Sequence, residues 1–246
     1  MEYDVTRKAS AWNSLKLRAK HDLRLSPLAR PYWEARRRKI ARRGSFAQHG
    51  EDKVLLELVG DSGTYLDIGA SHPFLLSNTY LLYQAGWRGV TVEPIRGLWE
   101  MHRRWRPDDV SINAGVGLGE SFDFCEIYPD VLSTGSRETA DSIVKKGHGI
   151  LIAEYPVPIV RGDAIMRDHF ADSELTLLSI DVEGAEHDVL RSFDFSVARP
   201  RYVLFENRDF FGDTSSAALA TRLLEEEGYR FVREIGCNSL YEYRAA

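Results

Sequence analysis

The sequence has few cysteines and no long apolar segment. Cys125 and Cys237 are the two cysteines among 246 residues, and their separation fits neither a close disulfide pair nor a metal-binding spacing, which favours a reducing compartment. No apolar run reaches the roughly 20 residues that span a bilayer, and no signal peptide is visible. We therefore expect a cytoplasmic protein without a transmembrane segment, and not a disulfide-stabilised secreted domain.

The chain also lacks the three-glycine fingerprint of dinucleotide-binding folds. Residues 64–71 (Thr-Tyr-Leu-Asp-Ile-Gly-Ala-Ser) predict a short buried strand and a tight turn at Gly69 and Ala70. Positions 67, 69 and 72 are Asp, Gly and His, so a pyrophosphate would meet an acid in place of a glycine. Asp67 suits a ligand that carries an ammonium or sulfonium group. S-adenosylmethionine carries both together with an adenosine, so it fits this turn better than NAD does.

A second strand with an acid at its end follows at residues 89–94 (Gly-Val-Thr-Val-Glu-Pro). A carboxylate at the end of the second strand, here Glu93, can accept hydrogen bonds from both hydroxyls of a ribose. The two strand ends together indicate a nucleoside-type ligand. The alternative is an ordinary strand–turn–helix unit in which Asp67 only caps the turn.

Positive charge is concentrated at the N-terminus. Residues 1–44 contain 13 Lys/Arg and 4 Asp/Glu, a net charge of +9, whereas the whole chain carries −5, so residues 45–246 carry −14. An apolar side marked by Trp12, Leu15, Leu17 and Leu23 predicts an amphipathic helical extension that the prolines at 27 and 31 interrupt. We expect this basic arm to contact a membrane surface, an anionic substrate or a second subunit in a homodimer. The alternative is a solvated helical face.

Strand-like and helix-like segments alternate over residues 45–246, which predicts one α/β domain with a doubly wound, mainly parallel sheet covered on both faces. Residues 229–234 and 239–243 predict an antiparallel pair at the C-terminal edge. Residues 150–160 predict a strand that Pro156 and Pro158 break and that therefore belongs at an edge. The N-terminal 44 residues are an extension outside this domain.

Polar residues end five of the predicted strands: Asp67, Glu93, Asn113, Asp181 and Glu206. Around these ends the sequence resembles the FkbM family of S-adenosylmethionine-dependent O-methyltransferases over residues 45 to about 210. The matching stretches, in the order of the family, are 46–52 (Phe-Ala-Gln-His-Gly-Glu-Asp), 66–70 (Leu-Asp-Ile-Gly-Ala), 77–80 (Ser-Asn-Thr-Tyr), 86–89 (Gly-Trp-Arg-Gly), 92–94 (Val-Glu-Pro), 132–134 (Leu-Ser-Thr) and 180–186 (Ile-Asp-Val-Glu-Gly-Ala-Glu). The last is the most specific. His49 and His187 depart from the residues that the family more often has.

The resemblance implies a class I methyltransferase (Rossmann-like) fold with the cofactor lying across the first two strands. It implies a hydroxyl of a sugar, a glycan or another secondary metabolite as the methyl acceptor. By the same resemblance, the residues expected at S-adenosylmethionine are Gln48, Asp67, Gly69, Ala70, Asn78, Glu93, Pro94, Asn113 and Ala114.

Removal of the acceptor proton needs a base or a metal, because a neutral alcohol is a poor nucleophile. Asp181 and Glu206 end neighbouring strands in the usual sheet order and, with Asn207, predict an oxygen-rich site suited to Mg²⁺. His148, between two glycines, is the first candidate for the base, and His72 is the second. The alternative is that Asp181 and Glu206 only accept hydrogen bonds from the backbone or the ligand.

Two other functions are compatible with a cofactor-binding fold of this kind. The basic arm suggests that the protein could be a nucleic-acid methyltransferase. However, residues 181–184 (Asp-Val-Glu-Gly) stand where such enzymes carry an Asn-Pro-Pro-aromatic turn. The acidic domain also opposes phosphate binding. We therefore expect no nucleic-acid partner. The second alternative is a non-catalytic cofactor-binding module, since a fold alone does not fix a function.

Overall fold

The computed structural model describes residues 5–171, 173–197, 199–208 and 212–244. The helices are α1 (Val5–Leu25), α2 (Arg30–Ala41), α3 (Glu51–Val59), α4 (Tyr80–Gln84), α5 (Arg96–Trp105), α6 (Arg137–Lys145), α7 (Gly162–Phe170), α8 (Glu186–Leu190) and α9 (Ser215–Glu226). The strands are β1 (Thr64–Ile68), β2 (Arg88–Val92), β3 (Val110–Ile112), β4 (Gly115–Val116), β5 (Ser121–Tyr128), β6 (Ile150–Val160), β7 (Leu177–Ile180), β8 (Tyr202–Glu206), β9 (Tyr229–Ile235) and β10 (Asn238–Tyr243). Short 3₁₀ turns lie at Pro27–Ala29 and Asp130–Leu132.

A seven-stranded sheet has the order β3-β2-β1-β7-β8-β10-β9. In this sheet β3, β2, β1, β7 and β8 run parallel, and β10 is antiparallel to both β8 and β9. The α/β class, the mainly parallel sheet and the antiparallel C-terminal edge are therefore confirmed. The central strand β7 is buried along its whole length, because helices cover both faces of a mainly parallel sheet.

The chain divides into two compact units. The first comprises the described residues up to Arg36 together with Phe122–Pro156, and the second comprises Arg37–Ser121 and the described residues from Val157 onwards. The large sheet belongs to the second unit. The first unit holds α1, α6, the start of α2 and most of β5 and β6, around a core of Cys125, Ile127, Leu132, Ala140 and Ile143. The domain boundary at residue 44 follows charge and stays a prediction.

Strand β6 differs from the sequence-based expectation. It runs unbroken through Pro156 and Pro158, and it is the middle strand of a three-stranded sheet with the order β4-β6-β5. The prediction of a broken edge strand is therefore wrong. Pairing with β4 begins only at Ile159, so it lies beyond both prolines and needs no N–H group from either.

The apolar positions predicted along the arm follow one long helix. α1 runs to Leu25, and α2 begins at Arg30 after the 3₁₀ turn, with Pro31 in its first turn, where a missing N–H group is tolerated. The side chain of Trp12 lies outside the described residues. In the part of the chain that the structure describes, no helix has both the length and the apolar character needed to cross a membrane.

Candidate cofactor and catalytic site

The carboxyl ends of the parallel strands form one edge of the large sheet, where folds of this kind bind their ligands. Asp67 is the next-to-last residue of β1, and Glu206 ends β8. Glu93, Asn113 and Asp181 each follow directly after a strand. All five predicted strand-end residues therefore lie along this edge.

The turn after β1 requires glycine at position 69. Gly69 has φ +74°, and an added Cβ atom would lie 1.8 Å from the carbonyl oxygen of Asp181. The N–H groups of Gly69 and Ala70 donate to the carbonyl of Val92 at 3.0 and 3.1 Å, and the N–H of Asp181 donates to Ile68 at 3.0 Å. The turns after β1 and β7 therefore touch through their backbones, which no larger residue at 69 would allow.

Ser71 continues this turn in a left-handed conformation, with φ +48°. Its N–H donates to Glu93 Oε2 at 2.8 Å, and its carbonyl lies 2.9 Å from His102 Nε2. Burial, aided by the charge of Arg106, lowers the pKa of His102 to about 3, so the ring is neutral and Nε2–H is the donor. The left-handed conformation costs Ser71 about 1–2 kcal/mol, and its hydrogen bonds with Glu93 and His102 hold it in place.

Glu93 holds the second strand end as well as this turn. Its Oε1 accepts the N–H of Ile95 at 2.6 Å at the start of α5, and the side chain is buried. Asn113 Nδ2 donates to the carbonyls of Glu93 and Pro94 at 2.8 and 2.9 Å. The carboxylate predicted to bind ribose therefore also fixes two backbone segments of the turns, and its loss would affect the fold.

Asp67 lies in a buried network below the turn. The Thr79 hydroxyl donates to Asp67 Oδ2, and the buried guanidinium of Arg106 lies 4.0 Å from the same oxygen. Arg106 also donates to Asp109 at 2.8 Å and to the Tyr65 hydroxyl at 2.6 Å. Burial raises the pKa of Asp67, and Arg106 opposes that shift. These contacts give Asp67 a structural role, whatever it does for a ligand.

The remaining predicted cofactor residues differ in burial. Ala70 and Ala114 are buried, Asn78 is half-buried just before α4, and Gln48 is exposed in the loop before α3. α4 begins at Tyr80 after the cap residue Thr79, and it has five residues. Their roles at the cofactor stay predictions.

Three carboxylates meet at the ends of β7 and β8. Asp181, Glu183 and Glu206 each place an oxygen within 4.8 Å of the others, and we call them the acidic triad. Glu183 and Gly184 both have positive φ, +54° and +100°, and they turn the chain sharply after Asp181. The structure thus brings Asp181 and Glu206 together, as the sequence predicts, and adds Glu183.

The charged groups that shift the pKa values of Asp181 and Glu206 are other carboxylates. The surrounding protein raises the pKa of Asp181 to about 7, mainly by desolvation although its side chain is open to solvent, and the charges of Asp67 and Glu186 add to the shift. Desolvation, then the charge of Asp181, raises the pKa of Glu206 to about 8. A site built this way gains free energy from protons or from a cation. Asn207 donates its backbone N–H to Cys237 at 2.8 Å, and its predicted side-chain role stays a prediction.

Glu51 and Asn238 are site residues that sequence reasoning missed. Glu51 is fully buried; its Oε1 accepts Asn238 Nδ2 at 2.9 Å, and its Oε2 accepts the N–H of His49 at 2.7 Å. Asn238 pairs with Glu206 across β10 and β8. The His49 ring packs on Gly236, where an added Cβ would lie 2.1 Å from it. The loop before α3 is thereby fixed to the turn at 236–237, which joins β9 to β10 beside Glu206.

The two imidazoles predicted as bases have different surroundings. His148 is exposed between α6 and β6 in the first unit, where its N–H donates to Ile143 at 3.0 Å. His72 is buried, and its Nδ1 accepts the N–H groups of Phe74 and Leu75 at 3.3 and 3.2 Å. Because Nδ1 of His72 already accepts these two N–H groups, that nitrogen is not available to take a proton from the acceptor. The role of His148 stays a prediction.

Comparison with solved structures finds chains of low sequence identity. A methyltransferase from Geobacter sulfurreducens is 13% identical, with 100% of this chain and 99% of that chain covered and a TM-score of 0.45. A putative caffeoyl-CoA O-methyltransferase from Staphylococcus aureus is 9% identical, with 94% and 100% covered and a TM-score of 0.47. An O-methyltransferase from Bacillus cereus, in complex with SAH, is 10% identical, with 78% of each chain covered and a TM-score of 0.38.

No curated protein matches the chain significantly. The profile of the methyltransferase FkbM domain matches residues 67–231, which is about two thirds of the chain and runs from Asp67 into β9. Residues 46–52, part of the sequence resemblance, lie outside that match. The matched region contains both strand-end turns and the acidic triad, and its family establishes S-adenosylmethionine as the cofactor. The chain therefore belongs to the FkbM methyltransferase family.

Proposed function

We propose that this methyltransferase transfers the methyl group of S-adenosylmethionine to a hydroxyl oxygen of a sugar, a glycan or another secondary metabolite. The observation that carries the proposal is the acidic triad beside the cofactor turn. A neutral amine or a thiolate attacks the methyl group without first losing a proton, whereas a hydroxyl must lose its proton near the moment of transfer. Carboxylates with raised pKa values supply groups that hold a proton or a cation at neutral pH.

On this proposal, the turns after β1 and β2 hold the cofactor. The backbone at Gly69 and Ala70 borders the methionine part, and Glu93 accepts the ribose hydroxyls. Asn113 keeps the turn after Glu93 in place through its two carbonyl contacts. The task of these residues is placement, because in-line transfer needs the oxygen about 3 Å from the methyl carbon.

The acidic triad holds the acceptor oxygen on the other side of the Gly69–Asp181 contact. Its three carboxylate oxygens within 4.8 Å fit a hard divalent cation such as Mg²⁺. Bound there, Mg²⁺ would lower the pKa of a coordinated hydroxyl. Asp181 and Glu206 orient the acceptor by accepting its hydrogen bonds.

An imidazole is proposed to take the acceptor proton. The sequence favours His148, and the structure adds His49, which belongs to the same unit as the acidic triad and packs on the hairpin turn next to Glu206. His148→Ala and His49→Ala separate the two. The base is the histidine whose alanine variant loses activity but keeps its affinity for S-adenosylhomocysteine.

The test uses labelled S-adenosylmethionine and a metabolite extract, with the products analysed by mass spectrometry. Methylated hydroxyls in the products support the proposal, and labelled amines or thiols alone contradict it. A repeat with EDTA, followed by added Mg²⁺, tests the cation separately. Calorimetry with S-adenosylhomocysteine tests cofactor binding without an acceptor, so a non-catalytic module would bind in this assay and transfer nothing.

We also propose that nucleic acid is not the acceptor, because an edge lined with carboxylates repels phosphates. A filter-binding assay with RNA and DNA at low salt tests this. Retention of either, together with its methylation, would replace the proposed acceptor class.

A further inference from the structure

Polar contacts within the first unit fix one face of α1. The His21 ring is buried, with Nε2 3.0 Å from Glu126 Oε1 and 3.4 Å from Asp130 Oδ1. Arg18 donates two hydrogen bonds of 2.6 Å to the carbonyls of residues 151 and 152. These contacts show which side of the helix is turned towards the rest of its unit.

The opposite face of α1 carries an apolar stripe in solvent. Successive residues of a helix are about 100° apart, so Leu15, Ala19 and Leu23, at four-residue spacing, lie on the side turned away from His21. Leu15 and Leu23 are 59% and 56% exposed. Each gains little of the stabilisation that burial would give, because no protein atoms cover most of its surface.

Two lysines border this stripe and two more apolar side chains follow it. Lys16 and Lys20 are exposed one position along the helix from Leu15 and Ala19. Leu28 in the 3₁₀ turn is 81% exposed, and Tyr32 at the start of α2 is 53% exposed. The neighbouring Trp33 is buried and donates to the carbonyl of Arg24 at 2.8 Å, so the turn is anchored while Leu28 points outwards.

Charge selects the kind of partner that fits this surface. Residues 15–36 contain six Lys/Arg and two Asp/Glu. Arg18 and Arg24 make their contacts on the inner face, with the carbonyl of residue 152 and with Asp130. The other four basic residues are exposed. A second copy of the same surface would bring like charges together.

An anionic bilayer satisfies both properties of the surface. Apolar side chains enter the boundary between headgroups and acyl chains, and flanking lysines pair with anionic headgroups. We propose that the outer face of α1 and the turn after it form a membrane-docking surface for anionic lipid. Its residues are Leu15, Lys16, Ala19, Lys20, Leu23, Leu28 and Tyr32.

The test is cosedimentation of the full chain with lipid vesicles. We expect binding to phosphatidylcholine vesicles that contain phosphatidylglycerol, and binding at least ~10-fold weaker to phosphatidylcholine alone. Leu23→Ser with Leu28→Ser should weaken binding to the anionic vesicles by roughly 10-fold, because the apolar contribution is lost. Lys16→Glu with Lys20→Glu should lower it by a similar factor at low salt.

The matched control is Leu219→Ser, at an exposed leucine of α9 in the second unit, which should leave vesicle binding unchanged. Circular dichroism of each variant checks that the helices are intact. Absence of cosedimentation with anionic vesicles at low ionic strength overturns the proposal, as does unchanged binding of the double leucine variant. A dimer in light scattering that the leucine variant dissociates would assign the face to a second copy, which also overturns it.

Discussion

The acids at the ends of β1 and β2 differ from those at β7 and β8 in what the protein supplies to them. Asp67 and Glu93 receive donors from within the fold: a hydroxyl and a buried guanidinium for one, two backbone amides for the other. Asp181 and Glu206 face each other and Glu183, and among the described residues the donor to Glu206 is the Cys237 thiol. A strand-end acid that is satisfied positions the backbone, whereas one left among like charges is available for a proton, a cation or a substrate.

The largest effect is expected where the two halves of the edge touch. Gly69→Ala would place a Cβ against the Asp181 carbonyl and force alanine to φ +74°, so we expect a loss of stability of about 3 kcal/mol or more and loss of S-adenosylhomocysteine binding. Thermal unfolding and calorimetry measure both. Gly86→Ala is the control, because Gly86 has φ +105° with open space around it and should cost only about 1–2 kcal/mol. Equal effects would show that the contact with Asp181 is unimportant.

The next effect tests whether Glu93 is a satisfied acid. Glu93→Gln replaces one acceptor oxygen by an NH₂ group that must face the N–H of Ser71 or of Ile95. We expect a loss of about 1–3 kcal/mol in stability together with weaker S-adenosylhomocysteine binding. Chemical denaturation and calorimetry should report both losses. Weaker binding with unchanged stability would assign Glu93 to the ligand alone.

The acidic triad should respond to pH in the opposite sense from an ordinary ion pair. Asp181 and Glu206 have pKa values of about 7 and about 8, above those in the unfolded chain. The folded state therefore binds more protons, and the unfolding free energy without metal should fall as pH rises from 5 to 8. Asp181→Asn should flatten this dependence and raise stability at pH 8 by on the order of 1 kcal/mol, a figure reduced for solvent screening.

Mg²⁺ gives the companion measurement for the acidic triad. Its binding should release protons from the carboxylates, so its affinity should increase between pH 6 and pH 8. Calorimetry in two buffers of different ionisation enthalpy counts those protons. If Asp181→Asn lowers stability at pH 8 and Mg²⁺ releases no protons, the distinction between acids paired with donors and acids grouped with like charges fails.

The smallest effect concerns Glu126 and Asp130, acids of the first unit that lie against the His21 ring. Burial lowers the pKa of His21, but its hydrogen bonds with Glu126 and Asp22 and the charge of Asp130 outweigh burial and raise it. The stabilisation is therefore complete below pH 6.5 and is lost as pH rises through the raised value. His21→Gln should cost about 1 kcal/mol at pH 6 and less at pH 8 in thermal unfolding. An equal loss at both pH values would rule out the charged pairing.

Sequence reasoning succeeds where the signal is local. The strand ends from Asp67 to Glu206 combine an apolar run with an acid, and the parallel topology then brings Asp181 and Glu206 together. Glu183 joins them because of a left-handed turn at 183–184 that no periodicity reveals. The acid-rich run at 181–186 was the available signal, since it contains three carboxylates in six residues.

The missed residues depend on contacts between distant parts of the chain. Asn238 donates to Glu51, 187 residues away, and a helix-capping role explains Glu51 equally well from sequence. Arg106 sits at the end of α5 among other basic residues, so its burial beside Asp67 has no sequence signature. His148 and Asp181 carry similar functional signals, yet the chain places them in different compact units.

The backbone contact at Gly69 also fixes the distance between the turns after β1 and β7. The N–H of Asp181 bonded to the carbonyl of Ile68, and the absent side chain at position 69, set the spacing between the turns after β1 and β7 without any side-chain atom. If these two turns hold the methyl donor and the acceptor as we propose, residues around Glu206 can change to admit a different acceptor while the spacing stays constant. A scaffold of this design separates the choice of acceptor from the geometry of transfer, so the two can diverge independently.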